Sequence, residues 1–340
     1  KKIAESGEVV VLDTDFTWKP ESILNSTWRQ ENAAIQKAAV LLDGSECAAR
    51  ALPTAIALHK STGMELLLLA SVKDHTPTLQ AQYAETYAVR DTYLRELSAD
   101  LKAQGIQVVY AIHPGFIADV TAAQIEAREI DLAITSTSGK SGSKHWDRGG
   151  VSRKLVQKIS TPILLVQADE YGEAPVPTLK RILVALDGSI VSERSLPYAK
   201  LLAKTFGAEL ILTSVPAVPE MSKYRAPAKF VEMLQTKADT NMKKFLKCVS
   251  DSLQEEGIRA RTIVTGSLPA RTILSVSEQE DVDLIMLTSR GRGKLEMLVG
   301  SVAQRVVEGS DKPVFMLPVP EPLEEPKFNH VPELLSNAAE

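Results

Sequence analysis

Cysteine is nearly missing: Cys47 and Cys248 are the two thiols in 340 residues. A disulfide framework needs more, so two idle thiols in a reducing cytoplasm are the expectation. A basic excess is also missing. Lys and Arg total 39 against 43 Asp and Glu, a net charge of −4 and a pI near 5.9. Without a basic face, neither nucleic acid nor an anionic membrane is an expected partner. No run of 18 apolar residues occurs, so no membrane span is expected. The apolar part of Lys1–Val11 is too short for a secretory signal. The five histidines (His59, His75, His113, His145 and His330) do not stand at metal-ligand spacings with Cys, Asp or Glu, and no metal site is expected. No Ser-His-Asp set stands out, and no catalytic residue is assigned. His113 is read as a loop histidine near the sheet edge, and His145 as a neighbour of a loop described below.

What the chain does have is an internal repeat. Val40-Leu41-Leu42-Asp43-Gly44-Ser45 returns as Val184-Ala185-Leu186-Asp187-Gly188-Ser189, 144 residues on. Leu52-Pro53 returns as Leu196-Pro197, Gly63 as Gly207, and Glu65-Leu66-Leu67 as Glu209-Leu210-Ile211. Further along, Gly115 answers Gly266, Asp131-Leu132 answers Asp283-Leu284, and Pro162-Ile163 answers Pro313-Val314. Landmarks kept in order with a slowly drifting offset mean a duplicated domain with loop insertions. An apolar content of 44% and this length suit two domains. Residues 37–168 and 181–318 are taken as those domains. An extension 1–36, a linker 169–180 and a proline-rich tail 319–340, expected to be poorly ordered, complete the chain.

Each half alternates strand and helix. In the first, strands are expected at Ala38–Leu42, Glu65–Val72, Gln107–Ala111, Asp131–Thr135 and Pro162–Val166. In the second they are expected at Arg181–Leu186, Glu209–Val215, Arg259–Val264, Asp283–Thr288 and Pro313–Leu317. Ser192–Phe206 and Pro227–Glu256 read as single helices closed by Gly207 and Gly257. This is the pattern of a flavodoxin-like, Rossmann-type α/β domain: a five-stranded, mainly parallel sheet with helices on both faces. Ligands of such sheets sit at the carboxyl ends of the strands, where the strand order reverses.

Two motifs fall on that edge. Asp-Gly-Ser follows strand one at Asp43 and Asp187; it suits a turn and helix cap, and equally a carboxylate facing a nucleoside. After strand four, Thr288-Ser289-Arg290-Gly291-Arg292-Gly293-Lys294 leads to Val299-Gly300-Ser301-Val302. The first half has Ser136-Thr137-Ser138-Gly139-Lys140-Ser141-Gly142, then Gly149-Gly150-Val151. Glycines let backbone N–H groups converge on phosphate, and a helix start favours an anion.

The set Val-Ala-Leu-Asp-Gly-Ser, Ser-Arg-Gly-Arg-Gly and Gly-Ser-Val-Ala-Gln-Arg-Val-Val followed by Lys-Pro-Val-Phe closely resembles the universal stress protein family, over both halves. ATP-binding members of that family carry G-x2-G-x9-G-[S/T]. The resemblance implies two tandem Rossmann-like domains of the adenine nucleotide alpha hydrolase-like type. It implies adenosine contacts at Asp187 and Val215. The phosphate loop would comprise Thr288, Gly291, Arg292, Gly293, Gly300, Ser301 and Val302. In the first half it implies Asp43, Val72, Ser136, Gly139, Gly149 and Gly150. It also implies that strand five of each half pairs with the other in an intramolecular pseudo-dimer, with a further homodimer open. The expected ligand is ATP or another adenine nucleotide, with Mg²⁺ bridging its phosphates, in a stress-response or signalling module with little or no hydrolysis. A nucleotide-free interaction scaffold and a slow hydrolase stand as alternatives.

This sequence departs from the family pattern. Thr288 and Ser136 replace the first glycine, Gly291 and Gly300 bracket eight residues rather than nine, and Gly150 replaces the Ser/Thr. Other phosphate motifs fail. Gly139-Lys140-Ser141 lacks its P-loop partner, since Ile134 stands where the earlier glycine belongs, and Leu295 follows Lys294 where Ser or Thr is required.

Overall fold

A computed structural model describes residues 27–73, 80–137, 150–167, 179–216, 228–266, 268–290 and 299–319. Its first half runs β1 (Lys37–Leu41), α1 (Glu46–Ala49), α2 (Ala51–Thr62), β2 (Glu65–Val72), α3 (Gln80–Ala103), β3 (Val108–Pro114), α4 (Ile117–Arg128), β4 (Leu132–Ser136), α5 (Val151–Lys158) and β5 (Ile163–Val166). The second half runs β6 (Arg181–Ala185), α6 (Ile190–Glu193), α7 (Leu196–Phe206), β7 (Glu209–Ser214), α8 (Ala228–Glu255), β8 (Ala260–Val264), α9 (Pro269–Gln279), β9 (Leu284–Thr288), α10 (Ser301–Gly309) and β10 (Val314–Leu317). The central strands are mostly apolar and buried on both faces, with polar residues only toward their ends, as a sheet covered by helices on each side requires.

The first half orders its strands β3-β2-β1-β4-β5, each resolved pairing parallel. In the second, β6 lies between β7 and β9, with β8 outside β7, again parallel. The amide of Ile285 in β9 donates to the Pro313 carbonyl just before β10. This is the Rossmann arrangement; the flavodoxin order, with strand three beside strand one, is not adopted. Strand three pairs outside strand two, and the next crossover returns to the opposite side of strand one. The direction of winding therefore changes at β1/β4 and at β6/β9.

One residue in each half fixes that adjacency. Asp131, just before β4, accepts hydrogen bonds from the N–H groups of Gln36 (2.8 Å) and Lys37 (3.0 Å) through Oδ2. Asp283, just before β9, does the same for Lys180 (2.7 Å) and Arg181 (2.9 Å). The repeated Asp-Leu pair is thus a clamp on the first strand's opening amides.

Two expectations need correction. Ser192–Phe206 is not one helix: α6 ends at Glu193 and α7 begins at Leu196. Pro197 has no N–H for the Glu193 carbonyl, so the ladder breaks there, and Ser195 Oγ donates to the Ser192 carbonyl across the gap (2.7 Å). Pro53 places the same break between α1 and α2. The extension, whose weak pattern suggests no packed element near its end, contains a 3₁₀ turn at Thr27–Arg29 whose Trp28 is buried. The described residues Thr27–Ala34 belong to the compact unit built on Val176–Leu287, while Ile35–Pro175 forms the body of the other.

Candidate functional site

The Asp-Gly-Ser motif folds the same way twice. Gly44 and Gly188 take φ of +74° and +77°, the left-handed conformation that glycine tolerates. Asp43 Oδ1 accepts from both the amide (2.9 Å) and hydroxyl (2.5 Å) of Ser45; Asp187 Oδ1 accepts from the amide (3.0 Å) and hydroxyl (2.5 Å) of Ser189. The serines cap the next helix, accepting from Ala48 N–H and Ser192 N–H at 3.2 Å each. One carboxylate oxygen of each Asp is therefore part of the turn, and the serine is the N-cap. Both aspartates remain partly accessible at the carboxyl end of the central strand.

Tyr93, on α3, is a neighbour that the motifs did not point to. Burial, and then the negative charge of Asp43, push its phenol above the ordinary tyrosine range. Its counterpart in α8 is Phe245, fixed by the matching helix ends: Ile106 N–H to Leu101 O, and Ile258 N–H to Leu253 O. The first half thus presents a phenol toward its aspartate where the second has a bare ring.

The strand-two positions need a shift. Lys37 pairs with Glu65 and Arg181 with Glu209, so the structural counterpart of Val215 is Ser71, one residue before Val72. The matched Glu-Leu pairs already carried that offset of 144. Val72 and Val215 are both buried at the ends of their strands.

After β4, Ser136 is buried and Thr137 Oγ1 donates to Gln167 Oε1 (3.0 Å). Gly150 is the N-cap of α5 and supplies no side-chain cap bond. In the corresponding stretch of the second half, Thr288 Oγ1 donates to the Arg290 carbonyl (2.5 Å). Ser289 is a hub: its amide donates to Leu317 O (2.8 Å), its hydroxyl accepts from Val319 N–H (2.9 Å), and its carbonyl accepts from Gly300 N–H (2.7 Å). A Cβ on Gly300 would lie 3.2 Å from that carbonyl, so the glycine is needed for close backbone approach. Arg290 is buried rather than a solvated cation of the loop. Ser301 is exposed at the first turn of α10, and Val302 is half-buried. Gly139, Gly149, Gly291, Arg292 and Gly293 lie outside the described residues, as do His145 and Lys294.

The sheet therefore brings Asp43, Ser71, Ser136 and Gly150 to one end of the first half, and Asp187 and Val215 to the corresponding end of β6 and β7. Among the described residues no group of three His, Cys, Asp or Glu could hold a metal ion, and no helix is long and apolar enough to cross a membrane. His113 Nε2 is buried without a hydrogen-bond partner at the end of β3. Burial, with Asp251 nearby, raises the Cys248 thiol above its ordinary range, which disfavours the reactive thiolate.

A model of the universal stress protein family matches residues 34–167 and again 178–318. Among curated relatives, the universal stress protein YxiE of Bacillus subtilis is 33% identical over 144 residues, covering 40% of this chain and 97% of that protein. The universal stress protein MJ0531 of Methanocaldococcus jannaschii is 30% identical over 142 residues, covering 42% and 83%. A solved universal stress protein from Archaeoglobus fulgidus covers 83% of this chain and 97% of its own, with a TM-score of 0.64 at 21% identity, a likeness of fold.

Proposed function

Because the chain belongs to the universal stress protein family, we propose that it is an adenine-nucleotide binding module, with ATP as the leading ligand and little or no hydrolysis, acting in stress response or signalling. The domains would be 37–168 and 181–318. The observation that carries this reading is the start of α5. Gly150, the N-cap, supplies no side-chain cap bond, and the helix starts at the carboxyl end of the sheet, where the winding switches between β1 and β4 and where Asp43 also lies. The helix dipole favours an anion at such a start. Thr288, Gly291, Arg292, Gly293, Gly300, Ser301 and Val302 are the proposed counterparts in the second half, with Asp187 and Val215 toward the nucleoside. Mg²⁺ would ride on the phosphates rather than in a protein cage. We also take Ile163–Val166 and Val314–Leu317 as partners in an intramolecular pseudo-dimer; a homodimer in addition would sediment at twice the chain mass.

Calorimetric titration of nucleotide-stripped protein with Mg-ATP, ADP and AMP tests the reading. Micromolar ATP binding is expected. Ser301→Ala, at an exposed hydroxyl, should weaken it roughly 10–100-fold, the loss of one hydrogen bond to a charged group, without moving the ligand-free Tm. No heat with any of the three sinks the proposal. One observation favours a nucleotide-free scaffold instead: each Asp, and the Gly300 amide, already serve internal hydrogen bonds. In that case ATP leaves the Tm unchanged.

A further inference from the structure

The two halves guard their outer sheet edges differently. β3 and β8 each end the strand order of their half, and among the described residues no strand pairs with the outer side of either. In β3, Gln107 O accepts from Leu66 N–H and Gly115 N–H donates to Val72 O, so the odd-numbered residues turn their backbone groups to β2. Val108, Tyr110 and Ile112 therefore present N–H and C=O groups outward, and Pro114, without an N–H, ends the row. Such an edge is ordinarily guarded by a charge, a bulge or a covering element. β8 has its guard in Arg261, which donates to Glu209 (3.2 Å) and Glu280 (2.5 Å). The register gives Val109 the same place in β3, where it is 53% exposed. No Asp, Glu, Lys or Arg stands between Lys102 and Asp119. Tyr110 Oη donates to Asp91 on α3 (3.2 Å), so Val108, Tyr110 and Ile112 lean toward that helix and Val109 and Ala111 take the opposite face.

We propose that the β3 edge receives a second copy of this chain, the two β3 strands pairing antiparallel about a two-fold axis through Tyr110. The strand is complementary to itself in that register. Val108 falls opposite Ile112 and Tyr110 opposite its own copy, so each outward N–H meets an outward C=O. On the other face Val109 falls opposite Ala111 of the second copy, the bulkier side chain on the smaller, and no like charges are opposed. A two-fold pair also uses up both open edges, whereas head-to-tail pairing would leave one free to continue. The same operation on β8, about Thr262, would set the Arg261 charge against Ile263. The proposal does not depend on nucleotide.

The test is sedimentation equilibrium of the full chain over a range of concentrations, with Val109→Arg alongside, and oxidative cross-linking of single-cysteine variants made in a Cys47→Ser, Cys248→Ser background. The wild type should approach twice the chain mass. Val109→Arg installs the second half's residue at an exposed position. Two guanidinium groups then meet diagonally across the axis, so the dimer dissociation constant should rise about tenfold or more, with the circular dichroism spectrum unchanged. Tyr110→Cys should form a covalent dimer, because residues facing each other in a hydrogen-bonded antiparallel pair have Cα atoms about 5.5 Å apart, within disulfide reach. Gln107→Cys, whose copies would lie at opposite ends of the paired strands, should not. Should Val109→Arg fail to fold, the cross-links decide. A wild-type chain at single mass at every concentration, a dimer that folded Val109→Arg leaves intact, no covalent dimer from Tyr110→Cys, or equal cross-linking at both positions overturns the proposal.

Discussion

Asp131 and Asp283 occupy the position where a single side chain has the most influence on strand order. Each takes two backbone N–H groups that would otherwise have no partner at the start of the central strand. Hydrogen bonds to a charged acceptor contribute about 1.5–3 kcal/mol, discounted here because the groups are partly exposed. Asp283→Ala should therefore destabilise the protein by about 1–3 kcal/mol in urea unfolding, with Asp283→Asn recovering part of the loss. An unchanged midpoint would show that water replaces the carboxylate at no cost. The aspartates of the two turns give a contrasting expectation. Asp187→Asn keeps an oxygen that can accept from Ser189, so the turn should hold, and any loss of nucleotide binding would report the carboxylate's charge rather than a broken cap.

At the scale of elements, helix ends carry most of the legible information. Gly63 and Gly207 stop α2 and α7 in the left-handed conformation, at φ of +74° and +64°, and nothing lies within 4 Å of a Cβ built at either. Gly207→Ala isolates conformational strain from steric clash, and should cost about 1–2 kcal/mol by chemical denaturation, with ligand affinity unaffected. Strands, glycine caps and the Asp-Gly-Ser turns were readable because each depends on residues within one turn or one alternation of the chain. The break at Arg194–Ser195 was missed because apolar spacing continues across it; only Pro197, four residues after Glu193, marks the lost hydrogen bond. The candidate site was readable as motifs and misread by one residue on strand two, where Ser71 rather than Val72 takes the place of Val215. Tyr93 carried no local signal at all, since its approach to Asp43 depends on how α3 lies against the sheet.

At the scale of the molecule, the least legible feature is the anchoring of the N-terminal segment, since its partners lie far along the chain. Lys200 is buried on α7. It donates to the Arg29 carbonyl (3.4 Å), 171 residues away in sequence, and its Nζ stands 5.6 Å from the Trp28 ring centroid. Lys200 and Lys204 both pair with Glu256, at 2.6 and 2.8 Å, and Arg29 pairs with Glu255 at 3.3 Å. Trp28→Ala leaves a cavity of aromatic size and uncovers Lys200. It should destabilise the unit built on Val176–Leu287 by about 3–5 kcal/mol, seen as an earlier first transition in scanning calorimetry.

The same cluster makes an acid-side prediction. Burial works against ionisation of Glu256, but hydrogen bonds and charge from Lys200 and Lys204 outweigh it and hold its pKa below the ordinary 4.5. Glu280 is held low mainly by its hydrogen bond from Arg261, against a smaller burial cost. A carboxylate with a lowered folded-state pKa binds its proton less tightly when folded than when unfolded. Its stabilisation is complete above the unfolded value and disappears as pH falls through the folded one. Thermal stability should accordingly decline on acidification below about pH 4.5. Glu256→Gln removes one contributor, so its Tm should start lower at neutral pH and fall less steeply in acid. Parallel curves for the wild type and Glu256→Gln would place the acid sensitivity elsewhere, with the Arg261–Glu280 pair, 2.5 Å apart, the next to test.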